Sequence, residues 1–168
     1  MNLAGNAVFL PKSKILTEER ILIPPNNLGT IKIPDMDDNR VFLTGANGKN
    51  LGISIPPSGL KLLKEIEKDG EFKSIRIKNI EKKLQIFVHM NLIKSLSFKK
   101  GKNDWKLELE RPIFLTNDKK LRKQYPGPIC SAILTAITRT SKKKLCIIDT
   151  TYNEEKITFH LQFLKRKN

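Results

Sequence analysis

Lysine and arginine are the residues best placed to do chemistry in this sequence. They fall in four groups: Lys99 and Lys100 with Lys102; Lys119 and Lys120 with Arg122 and Lys123; Arg139 with Lys142, Lys143 and Lys144; and Lys165-Arg166-Lys167. Most of these positions read as turns or element ends. Cations there reach phosphate oxygens and release condensed counterions without unfolding anything. Aromatic residues stand beside two groups: Phe98 and Trp105 bracket the first, and Tyr125 follows the second. An exposed ring next to a basic loop can stack on an unpaired base. The expectation is therefore a phosphate-contacting set of Lys99, Lys100, Lys102, Lys119, Lys120, Arg122, Lys123, Arg139, Lys142, Lys143 and Lys144, with Trp105 or Tyr125 stacking. Such contacts position a backbone and carry little sequence information, so DNA and RNA are not distinguished. The sequence has no aromatic RNP-like run, no Gly-x-x-Gly clamp in a helix–helix setting and no zinc-finger spacing to narrow the partner.

The charge is unevenly divided. Residues 91–168 carry 18 Lys/Arg against 7 Asp/Glu, and residues 1–90 carry 14 against 10, within a total of +15. Charge held on one part of a fold makes a field, and the natural partner of a positive field is a polyanion. Lysine outnumbers arginine 25 to 7. An AT-rich genome or a hot habitat would produce that bias too and so part of the charge, but explains less well why most of the excess sits in one half.

Other constellations offer less. Gly48-Lys49 follows a strand, yet a phosphate loop needs four residues between its glycines and Ser or Thr after the lysine; here two intervene and Asn50 follows. Cys130 lies near the start of a helix, where a thiol pKa falls, but no histidine is near it in sequence to act as base. His89 and His160 both read as strand residues, which only the fold could bring close. Cys130 and Cys146 with these histidines lack the local spacings of a zinc site. Asp35, Asp37 and Asp38 lack the ligand spacing of a calcium loop. Glu108 and Glu110 alternate with Leu107 and Leu109, the pattern of a strand with one wet face. The expectation is a protein without catalytic residues, metal or cofactor. No signal peptide, membrane span or disulfide framework is legible, which points to the cytoplasm.

Several elements can be placed. Residues 40–44 and 51–55 flank Asn47-Gly48, a tight-turn signal, and read as a hairpin. Residues 20–23 and 30–33 read as an earlier strand pair around Pro24-Pro25. Ser58 or Pro57 can start a helix running to about Lys68, with Leu60, Leu63 and Ile66 on one side. Alternation in Leu84, Ile86, Val88 and Met90, with Phe72, Ile75 and Ile77 before it, predicts strands over 72–90. Strands over 92–98 and 105–110 continue a meander. Asn117-Asp118 can cap a short basic helix reaching Tyr125. Pro128 suits the first turn of a helix over 129–140 that is apolar nearly all round and so buried. A hairpin of 144–150 and 156–164 follows.

Aligning Ser58 with Ser131, an offset of 73, sets one helix on the other and 84–90 on 157–163, so a helix–hairpin unit used twice is expected. The predicted fold is α+β: a mainly antiparallel sheet with two core helices, in a single domain over 1–168 with two similar lobes at about 15–111 and 112–168. The segment from Pro128 to Phe163 resembles the closing unit of vinyl-reductase-like small-molecule-binding domains, in which a helix rich in small residues packs beside a hairpin and lines an apolar pocket. The likeness covers under a quarter of the chain, and the paired cysteines such hairpins often carry are missing. It implies the alternative to nucleic-acid binding: a ligand-sensing, adaptor or assembly subunit with an apolar pocket behind the second helix and a possible protein partner.

Overall fold

The computed structural model describes residues 4–26, 40–44, 50–69 and 72–164. The expected turn at 45–49, the strand at 30–33, Asp35, Asp37, Asp38 and Lys165-Arg166-Lys167 lie outside the described residues. Among the described residues eight strands form one antiparallel sheet: β1 (Val8–Leu10), β2 (Arg20–Ile23), β3 (Phe42–Thr44), β4 (Asn50–Ile55), β5 (Ser95–Lys100), β6 (Trp105–Glu110), β7 (Lys144–Asn153) and β8 (Lys156–Leu164), in the order β3-β4-β2-β1-β7-β8-β6-β5. The helices are α1 (Leu60–Ile66), α2 (Ile80–Leu84), α3 (Ile86–His89), α4 (Lys119–Arg122) and α5 (Pro128–Ser141).

The sheet follows from period-2 patterning. Leu107 and Leu109 on β6, Ile157, Phe159 and Leu161 on β8, and Leu145 and Ile147 on β7 are fully buried and join the helices in one core. On the other side Val8, Leu10, Leu16, Leu22 and Leu43 make a smaller cluster, with Cys146 and Leu164 packed against it. β7 carries a bulge between Ile147 and Asp149.

α5 begins at Gly127, whose φ of 95° suits glycine, followed by Pro128. Every residue over 129–140 is buried. A helix apolar all round must sit in a core; the Thr135 and Thr138 hydroxyls donate to the Ser131 and Leu134 carbonyls at 2.7 and 2.8 Å, and the Thr140 hydroxyl to the Phe72 carbonyl at 2.8 Å, while the buried Ser131 hydroxyl has no partner among the described residues. α1 packs on α5 where Gly59 lies against the Pro128 carbonyl and the backbone of Ala132.

Residues 72–90 differ from expectation: they are helical, with 3-10 turns at Phe72–Ser74 and Ile77–Asn79 leading into α2 and α3. Ile80, Leu84 and Phe87 are fully buried, a helical spacing of four and three, whereas Met90 is 48% exposed. The alternation in Leu84, Ile86, Val88 and Met90 coincided with this stronger helical pattern. The counterpart at offset 73 is the β7–β8 hairpin, so among the described residues the helix–hairpin unit occurs once. Edge strand β5 is partly covered by this helical segment, since the Glu81 carboxylate accepts from Phe98 N at 2.7 Å.

Candidate nucleic-acid interface

Register places two of the basic groups at one end of the sheet. β5 and β6 join through the turn holding Lys102, with Lys100 opposite Trp105. Trp105 pairs with Leu161 on β8, and Leu161 pairs with Ile147 on β7, whose first residue Lys144 faces Leu164. Lys99, Lys100, Lys102, Lys142 and Lys143 are exposed there. Lys142 ends α5 in a left-handed conformation, φ 54°, which turns the chain into β7. One cation here escaped the sequence reading: Lys106, exposed on β6 directly across from Lys99. Its signal is the alternation Lys106, Glu108, Glu110 on the wet side of β6. Like charges facing across strands oppose folding.

The third group surrounds α4. The Asp118 carboxylate caps this short helix, accepting from Lys120 N at 2.7 Å and Leu121 N at 3.2 Å. Lys119 and Lys120 are exposed. Lys123 pairs with Asp149 at 2.7 Å, a hydrogen bond that holds the Asp149 carboxyl below its ordinary pKa. Arg122 is 7% exposed; its Nε donates to the Thr116 carbonyl at 2.7 Å and its guanidinium carbon lies 4.5 Å over the Tyr152 ring. β7 continues past β1, which pairs with it only at Leu145 and Cys146. Between α4 and that projecting stretch runs an open groove of about 1000 Å³, lined among others by Asn6, Lys119, Lys120, Thr150 and Tyr152.

Two expected members are committed elsewhere. Arg139 is 5% exposed inside the protein; its Nε and Nη2 donate to Glu19 at 2.7 and 2.8 Å, and its Nη1 bonds Glu67. No donor is left facing solvent for a phosphate. Trp105 is stacked on Phe98, ring centres 4.9 Å apart, and meets Phe163 edge-on at 5.7 Å, so its ring completes the core rim. Tyr125 is 42% exposed. Among the described residues Lys99, Lys100, Lys102, Lys106, Lys119, Lys120, Lys142 and Lys143 make no ion pair, whereas Lys64, Lys68, Lys94 and Lys156 each hold a carboxylate.

Glu108, Glu110 and Glu154, with Lys156, line a depression at the end of β6 and β8 away from Lys99, Lys100 and Lys102; it borders the α4 groove, with which it shares Thr151. The Cys130 thiol is buried within α5, and that burial pushes its pKa up to about 12, the opposite of activation. His89 closes α3, a helix where a strand was expected, and His160 sits on β8 with Nδ1 2.7 Å from Asp104. No cluster of three or more metal-ligating side chains, and no helix long and apolar enough to cross a membrane, occurs among the described residues. Behind α5, where the alternative reading needs an apolar pocket, Phe9, Phe72, Leu145 and Phe159 are packed at 1% exposure or less. Comparison with protein-family models, with characterised proteins and with solved structures finds no match.

Proposed function

We propose that this protein binds nucleic acid through its phosphate backbone and performs no catalysis. The observation that carries the reading is the set of exposed lysines without carboxylate partners among the described residues, at the sheet end (Lys99, Lys100, Lys102, Lys106, Lys142, Lys143) and beside α4 (Lys119, Lys120). An ammonium group that forms no ion pair within its own fold keeps its charge available to a polyanion, and each phosphate neutralised releases counterions. The Lys99–Lys106 juxtaposition sharpens the point, because it opposes folding and favours an anion seated across both strands.

Titrating a labelled oligonucleotide by fluorescence anisotropy at several salt concentrations tests the reading. The logarithm of affinity should fall linearly with the logarithm of salt, with a slope of about −0.7 to −0.9 per phosphate contact. Replacing Lys99, Lys100 and Lys102 together by Gln should make that slope shallower. Affinity that is indifferent to salt would end the proposal.

A further inference from the structure

We infer that the groove between α4 and β7 receives an unpaired nucleotide, its base against Tyr152 and its phosphate on Lys119 and Lys120. The inference rests on the proposed nucleic-acid reading and names the form of nucleic acid that this groove selects.

The groove is built rather than incidental. Its α4 wall is tied down from three sides: Asp118 caps the helix, Ala7 N donates to the Lys123 carbonyl at 2.8 Å, and the Gln124 side chain donates to the Gly5 carbonyl at 3.0 Å. Its floor is the stretch of β7 that β1 leaves uncovered. Within it Tyr152 is 45% exposed, and Arg122 fixes the ring from one side. Arg122 Nε and Nη2 donate to the Thr116 and Asn117 carbonyls, which makes it a positioning residue for Tyr152.

Around the ring stand the groups a nucleotide needs. Lys119 and Lys120 are exposed and make no ion pair among the described residues; they line the groove with Asp118, whose carboxylate caps α4, while Lys123 is neutralised by Asp149. Thr150 and Thr151 offer hydroxyls to a base edge, and exposed Leu121 adds apolar contact. A ring beside cations in a groove suits a base whose π-face is free. In a duplex the base faces are stacked on one another, so a duplex could reach the lysines but not the ring.

The test compares a short labelled single strand, the duplex of the same length and a nucleoside monophosphate as competitor. The single strand should bind more tightly than the duplex. Tyr152→Ala should weaken single-strand binding roughly tenfold, within the range for loss of one stacked base, while leaving duplex binding and the salt slope unchanged. Tyr152→Phe should retain affinity, which separates loss of the ring from loss of the fold. Lys119→Gln with Lys120→Gln should make the slope shallower by about two contacts. If the monophosphate competes with the same dependence on Tyr152, the groove takes a nucleotide unit whether free or in a strand, and the inference holds. Equal binding of strand and duplex with no effect of Tyr152→Ala overturns the inference and leaves the backbone reading standing. Absence of salt-dependent binding to any nucleic acid removes both.

Discussion

Arg139 shows how one residue type serves opposite ends. In sequence it adjoins Lys142, Lys143 and Lys144 and looks like part of a basic face; in the fold it is buried between Glu19 and Glu67. Burial alone would raise the Glu19 carboxyl pKa, but the hydrogen bonds and charge of Arg139 outweigh it and hold the value below the ordinary one. A carboxyl depressed in the folded state contributes stability above its unfolded pKa, here near 4.5, and loses it as pH falls through the folded value. Arg139→Met should therefore cost about 3–5 kcal/mol at neutral pH, since it strands a buried carboxylate. The sign then reverses: without the guanidinium, burial raises the Glu19 pKa, and the deficit should shrink as the pH falls toward 4.5. Denaturant unfolding of both proteins at neutral and acid pH measures this. A deficit that did not shrink in acid would mean Glu19 is not the group left uncompensated.

At the scale of elements, α5 and the strands from β5 onward obeyed local rules while 72–90 did not, and β1 at Val8–Leu10 was not expected. Pro128 after Gly127, and apolar residues on all sides, were sufficient signals for a buried helix. Over 72–90 two periods compete, and the helical one prevails because Ile80, Leu84 and Phe87 reach the core together. The strand alternative would have buried Met90, which stays half-exposed. α1 and α5 meet at Gly59, where a side chain would strike the Pro128 carbonyl and the Ala132 backbone. Backbone atoms of a buried helix cannot step aside, so Gly59→Ala should destabilise the protein by about 1–3 kcal/mol. Thermal unfolding checks it, with Gly101→Ala in the β5–β6 turn as a comparison outside the core.

Across the whole molecule charge is only partly sorted along the sheet. Lys99, Lys100, Lys102, Lys106, Lys142 and Lys143 lie at one end, while Glu108, Glu110 and Glu154, with Lys156, lie at the other, bordering the α4 groove through the shared Thr151. From Lys144 to Tyr152 the chain runs along β7 for roughly 25 Å at about 3.3 Å per residue, which exceeds the screening length at physiological salt of about 8 Å. The two cationic regions are therefore electrostatically separate, and under the proposed function each is a separate contact. Lys106→Glu places opposite charges across β5 and β6 where like charges now face each other. It should raise the unfolding temperature and weaken nucleic-acid binding, two readouts moving in opposite directions. A variant that lost both would show Lys106 to be structural.

Composition and periodicity alone determined the antiparallel strands from β5 onward, the buried α5 and the capped basic turn at Asp118, because each rests on residues close together in sequence. The partition of the cations was decided only by tertiary structure. Charge count cannot tell Arg139, held by carboxylates from 72 and 120 residues away, from Lys142, which faces water three positions later. Trp105 was drawn inward by Phe98 and Phe163, and Tyr152 was bared because β1 stops short of it. Neither outcome has a local signal, since each depends on which strands become neighbours.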